Sequence, residues 1–390
     1  MKHIVRGIHY RTREFIELEI NEGKICSIKS LTERINEDTP IIGPGLVDLQ
    51  INGFKGYDFN TLPLTIQQVK EITEALWSEG VTTYFPTIIT NSDEAIEEAL
   101  TVISEACSSY PLVEKTIAGI HVEGPFISPE DGPRGAHSKN YVKAPNWEVF
   151  ARWQEAAGGR IKIVTISPEW TGSVEFIKKC VQSGVTVSIG HTAATPEQIR
   201  EASSAGATMS THLGNGAHLM IPRHPNYIWE QLATDELTTC LIADGFHLPN
   251  SFLKVAMKAK GENVMLVSDA VYLSGLAPGK YETHIGGKVV LTPEGKLHTA
   301  DNPKILAGSA QMLKHGIGHL VKSKLASLDL AWEMSSIRPA SFMDLPSKVG
   351  LVECASADIV IFSCQENNIT IHTTYKDGQI VFDKNAINIK

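Results

Sequence analysis

One pattern constrains the fold of this chain more than any other. A short apolar segment, a polar loop and an amphipathic stretch follow one another eight times through its middle. The apolar segments are 46–49, 82–85, 117–122, 161–166, 185–189, 207–210, 239–243 and 264–267. Each has the length of a buried strand. Helical stretches lie between them, among them 65–78 and 93–108. Another covers 196–205, where Thr195 can cap and Pro196 suits the first helical position. Eight strands alternating with helices predict an α/β fold of the (β/α)8 TIM-barrel type rather than an open doubly wound sheet. No Gly-x-Gly-x-x-Gly follows the first strand, which argues against a dinucleotide-binding fold.

The two ends of the chain lack this beat. Segments 15–20 and 24–28 flank Asn21-Glu22-Gly23, a hairpin signal. Segments 358–362, 369–374 and 379–382 are strand-like, with Lys376-Asp377-Gly378 as a turn between the last two. The economical reading is a small β-sandwich-like domain made from 1–44 and 345–390, with a barrel of 45–344 inserted between them. A chain of 390 residues has room for both.

Net charge is −9, with no basic stripe able to follow a nucleic-acid backbone. No apolar run reaches the length of a membrane span, and the first residues do not read as a signal peptide. Cys26, Cys107, Cys180, Cys240, Cys354 and Cys364 are irregularly spaced and form no Cys-x-x-Cys pair. They read as buried free thiols, so a cytoplasmic protein without nucleic-acid or membrane partners is expected.

Catalytic groups of a barrel gather where its strands end. Here the strand ends carry Gln50 and Asn52, then His121 and Glu123, then His191, then His212, then Asp244 with His247, and finally Asp269. Glu123, His191 and His212 make a carboxylate–imidazole set suited to a transition metal with a position left open for water. Asp269 ends the last strand, where it can take a proton from such a water. Its alternatives are a further metal ligand or a helix cap.

Several ordered segments then carry a resemblance. They are Pro44-Gly45-Leu46-Val47-Asp48, His121-Val122-Glu123-Gly124-Pro125-Phe126, Gly190-His191-Thr192 and Thr211-His212-Leu213. Further along come Ala243-Asp244-Gly245-Phe246-His247, Val267-Ser268-Asp269-Ala270 and Leu306-Ala307-Gly308-Ser309-Ala310. Taken in order, they resemble the N-acetylglucosamine-6-phosphate deacetylases of the amidohydrolase superfamily over nearly the whole chain. The resemblance implies removal of the N-acetyl group from an amino sugar 6-phosphate. It implies one divalent metal, zinc or alternatively iron, on Glu123, His191 and His212. It implies Asp269 as proton shuttle, with His247 and His137 on the sugar or acetyl group. Asn215 and Gly216 fall where the family holds the phosphate. Arg223 falls where the family brings an arginine from the neighbouring subunit, which implies a homodimer.

Two departures qualify the match. Many amidohydrolases carry His-x-His after the first strand and bind a second metal, whereas this chain has Gln50-Ile51-Asn52, which favours one metal. The loop 213–226 differs from the usual family segment and adds His218 and His224. That leaves the sugar epimer open, N-acetylgalactosamine 6-phosphate being the alternative. Relatives acting on cyclic amides place a bridging lysine on the fourth strand, but here that strand ends Thr165-Ile166-Ser167-Pro168-Glu169.

Overall fold

The structure, a computed structural model, describes residues 3–32, 36, 38–283 and 287–387. The eight expected strands form one parallel sheet: Leu46–Ile51, Val81–Ile89, Ile120–Glu123, Ile161–Ile166, Thr186–Ile189, Met209–Ser210, Thr238–Leu241 and Val264–Leu266. Neighbours in sequence are neighbours in space. A parallel bridge from Ile51 to Ala270 brings the last strand back to the first and closes the barrel.

Side-chain alternation sorts the strands' two faces. Val47, Leu49, Phe85, Ile163, Met209, Cys240, Met265 and Val267 fill one compact core. They come from most of the strands around the ring, which marks that core as the barrel interior. The opposite faces pack under helices with apolar residues on one side. Asp93–Ser109 buries Ile96, Ala99, Leu100, Ile103 and Cys107, the spacing of one helical face. Thr195 caps Pro196–Ser204, and Gln198 completes a capping box.

Strands from both chain ends share a seven-stranded sheet. Its order is Gln379–Asp383, Asn368–Lys376, Ile359–Gln365, Ile41–Pro44, His3–His9, Phe15–Asn21 and Lys24–Ser30. Both expected hairpins are present. Their turns put Glu22 and Gly23, and likewise Asp377 and Gly378, at positive φ, as tight two-residue hairpins require. A Cβ on Gly378 would lie 3.0 Å from the Gly23 Cα, so the two tips pack together. Lys376 joins sheet to barrel, donating to buried Asp358 at 2.7 Å and to Thr83 at 3.2 Å.

Three features escaped the sequence reading. The sheet gains His3–His9 and Ile41–Pro44, and a separate three-stranded sheet forms from Gly279–Thr283, Gly287–Leu291 and Leu297–Thr299. That last unit follows the final barrel strand and rises beside the barrel mouth. Pro293-Glu294-Gly295 was its legible turn signal. Among the described residues no helix is long and apolar enough to cross a membrane. All six cysteines are free thiols, but only Cys107, Cys180 and Cys240 are buried; Cys26 and Cys354 lie exposed on the terminal β-domain's side.

Candidate active site

The parallel register sets the convergence. Thr165 pairs with Glu123, and Ile189 pairs with Ser210, so His191 and His212 each stand two residues beyond a matched pair. Their side chains meet over the barrel. His191 Nε2 lies 3.2 Å and His212 Nε2 3.0 Å from the same Glu123 Oε1. The two nitrogens are 3.1 Å apart. All three residues are buried, with one ligand atom of each within 4.8 Å of the others.

These groups fit a metal ion. Pro133 O can only accept, so the 2.8 Å contact with His191 Nδ1 places the ring proton there and leaves the Nε2 lone pair facing Glu123. Donors held about 2.0–2.1 Å from a tetrahedral zinc lie a little over 3 Å from one another, which is the spacing found here. His212 Nδ1 is buried without a hydrogen-bond partner among the described residues, so Nε2, against Glu123 and His191, is the ring nitrogen the site engages. Burial raises the Glu123 carboxyl, but the two histidines beside it hold it well below the ordinary value.

The backbone at the site is strained. His191, His212 and Asp269 all have positive φ, at 49°, 25° and 46°. Each such non-glycine residue costs of order 1–3 kcal/mol. Gly216 is required next to them, because a Cβ there would sit 2.6 Å from His191 Nδ1.

Asp269 stands across from the triad. Asn52 donates to its Oδ1 at 2.8 Å and Gln50 at 3.2 Å, while Gln50 also donates to Glu123 at 2.8 Å. Of the two amides that replace a histidine pair, Gln50 thus bridges the acid to the triad as a donor and Asn52 holds the acid alone. Burial and the charge of Glu123 push the Asp269 carboxyl up to about 6.

His247 is fixed by Asp244. Their side chains meet at 2.7 Å, and Asp244 Oδ1 also accepts from the backbone of Phe246 and His247. Burial opposes ionisation of Asp244, but the His247 hydrogen bond and charge keep its pKa low. With Nδ1 committed to that carboxylate, Nε2 is left for a ligand. His137 bonds Thr90 at 2.8 Å and packs edge-on to His191, ring centres 4.4 Å apart. Burial, then the neighbouring His191, push its pKa down to about 3, so it is neutral.

One cavity of about 430 Å³ connects these groups. It takes in Glu123, His191, His212, Asp269, His247, His137, Asn215 and Gly216. The Asn215 backbone N–H donates to His212 O at 3.0 Å, so Gly216 N–H is the one of the pair left for a ligand. Arg223 is exposed and does not line its own chain's cavity. The outer wall is built by Leu297 of the small three-stranded unit and by 304–308 after it; the sequence had marked 306–308, whereas Leu297, Lys304 and Ile305 were missed.

A closed parallel barrel with a buried metal-ligand triad and a carboxylate at its mouth defines a metal-dependent hydrolase. The Amidohydrolase family model matches residues 41–381, and the chain belongs to that family. The N-acetylglucosamine-6-phosphate deacetylase of Bacillus subtilis is 33% identical, over 93% of this chain and 92% of its own. The human enzyme of that name is 30% identical, over 89% of this chain and 84% of its own. Among solved structures, the deacetylase of Thermotoga maritima superposes with a TM-score of 0.84 at 27% identity, covering 98% of this chain and all of its own. An aspartate-to-alanine variant from Mycobacterium smegmatis, in complex with N-acetyl-D-glucosamine-6-phosphate, gives 0.82 at 25% identity over 94% of both chains.

Proposed function

We propose that this protein hydrolyses the N-acetyl group of N-acetylglucosamine 6-phosphate, releasing acetate and the amino sugar phosphate. The observation that carries the reading is the buried Glu123–His191–His212 triad with Asp269 facing it across one cavity. The named relatives supply the substrate. Glu123, His191 and His212 hold one divalent metal. Zinc suits this nitrogen–oxygen set, and it supplies an ionised water near neutral pH and polarises the acyl carbonyl.

The chain's own groups do the rest. Asp269 takes the proton of the attacking water and later gives it to the amide nitrogen as the C–N bond breaks. Asn52 and Gln50 aim its carboxylate. His247, held through Nδ1 by Asp244, offers Nε2–H to the developing oxyanion when its ring carries two protons. Neutral His137 contacts the sugar. Asn215 and the Gly216 N–H receive the phosphate, and that remote anchorage sets the acetyl group over the reacting atoms.

The working unit is a homodimer, with Arg223 of one subunit serving the other's cavity. Arg223 is exposed and follows Leu219 and Met220, which are 103% and 90% exposed and gain from burial against a second copy. The free thiols support a cytoplasmic setting. Release of acetate from the 6-phosphates of N-acetylglucosamine and N-acetylgalactosamine, beside a cyclic amide such as a dihydropyrimidine, tests the reading. Turnover of the glucosamine derivative at least tenfold above the others is expected. Preferred turnover of the cyclic amide would overturn it.

A further inference from the structure

The cavity has an anionic floor and almost no positive charge. Its lining carries the carboxylates Asp58, Glu123 and Asp269. Of all its lining residues, only Lys304 is a lysine or arginine. It comes from the turn of the small β-unit, a region no motif singled out.

That turn is built to present a side chain. Thr299 N–H donates to Ile305 O at 3.0 Å, and Ile305 N–H to Asn302 O at 3.0 Å. Thr299 Oγ1 donates to Asn302 O at 3.1 Å, and Lys304 N–H to Asn302 Oδ1 at 3.0 Å. Lys296 Nζ fastens the turn again through Pro303 O at 2.7 Å. The backbone around residue 304 is therefore held on both sides. The Lys304 ammonium itself takes part in no hydrogen bond or ion pair among the described residues, in contrast to Lys296 on the same unit. A lysine with no protein partner, on a braced turn, at the wall of an otherwise acidic cavity, is arranged for an anionic ligand.

We infer that Lys304 is a specificity-determining residue that recognises the phosphate monoester of the substrate from within the same chain. This rests on the substrate class proposed above. Within one chain, the cavity lining offers a phosphate dianion no other lysine or arginine. Lys304 adds a cation from the same chain to the arginine that the neighbouring subunit brings. Because its ammonium holds no hydrogen bond or ion pair among the described residues and the residue is exposed, replacing it should leave the architecture intact.

The test measures kcat and KM for Lys304→Met, Lys304→Arg and the unmodified enzyme, metal-loaded. Substrates are N-acetylglucosamine 6-phosphate and N-acetylglucosamine. Loss of a charge-assisted contact predicts a KM for the phosphorylated sugar raised by about 10-fold or more in Lys304→Met. Its kcat should stay within about twofold, the neutral sugar should be unaffected, and Lys304→Arg should restore most of the loss. The rise should shrink as salt is added, because Lys304 is exposed. If the unmodified enzyme prefers the phosphorylated sugar and Lys304→Met keeps that preference, the inference is overturned while the proposed function stands. If the unmodified enzyme shows no preference for the phosphate, the proposed substrate class falls and the role of Lys304 falls with it.

Discussion

His191 and His212 meet nitrogen to nitrogen, with Nε2 atoms 3.1 Å apart. Lone pairs on both would repel at that distance, and a shared cation removes the conflict. We therefore expect one tightly held divalent metal per chain. Elemental analysis of protein purified without added metal checks it, and two tight equivalents would contradict it. Glu123→Gln and His212→Ala should each lose the metal. Chelation should lower the melting temperature of the unmodified protein, because a ligand bound only to the folded state stabilises it.

Asp269→Asn keeps both amide contacts within reach but cannot take a proton. We expect kcat to fall by at least about 10³-fold, with metal content near that of the unmodified enzyme. Loss of metal, with activity regained on adding zinc, would make Asp269 a ligand instead. The base works ionised, and burial with the Glu123 charge places this carboxyl at about 6. The kcat/KM profile should therefore decline as pH falls through that region, and lie lower still with a cation in the triad. A rate independent of pH between about 4 and 7 would remove the base from this position.

Asp244→Asn preserves an oxygen for the backbone N–H groups of Phe246 and His247 but removes the carboxylate from His247 Nδ1. The ring then loses its preferred proton arrangement. A drop in kcat of about 10²-fold with little change in KM is expected. Steady-state kinetics with a thermal melt on the same preparation separates this from unfolding.

Arg223→Ala and Asp269→Asn should each be nearly inactive alone. Mixed under conditions where subunits exchange, they should regain part of the activity, since a heterodimer can assemble one intact site. Exchange confirmed by mass spectrometry without any recovery would argue that Arg223 serves no neighbouring cavity.

Asp48 is fully buried beneath the site, accepting from Ser268 N–H at 3.1 Å. Its Oδ2 has no hydrogen-bond partner among the described residues. Burial pushes its carboxyl up to about 7. The folded state therefore holds a proton that the unfolded chain, with its ordinary value near 4, has released. Stability should fall as pH rises between these values, by at most about 1.4 kcal/mol per unit, and level off above about 7. Asp48→Asn should flatten that dependence and match or exceed the unmodified protein at pH 8. Urea unfolding at several pH values, metal saturating, measures it.

Much of this was legible beforehand because barrel strands are short, fully buried and separated by helices with clear starts. The eight apolar segments, Thr195-Pro196 and the polar residues at strand ends carried both fold and site. What sequence concealed was pairing. Ile41–Pro44 is a four-residue run whose strand character comes from neighbours far away in the chain. Gln50 and Asn52 stood at a strand end in place of a histidine pair, but nothing in the sequence says that their amide N–H groups aim Asp269. Lys304 could not be placed at the cavity, because nothing local says that its turn folds over the barrel mouth.

The interleaved terminal sheet has a consequence for how the molecule is made. Ile41–Pro44 lies between His3–His9, synthesised before it, and Ile359–Gln365, synthesised near the end. At about 5–20 residues per second, the N-terminal strands wait on the ribosome for roughly 15–60 s before that partner emerges. Throughout that interval the apolar edge of Ile41–Pro44 stays open, a template for a second nascent chain on the same message. Translation speed and chaperone supply, more than the stability of the finished barrel, should therefore set the yield of this protein in the cell.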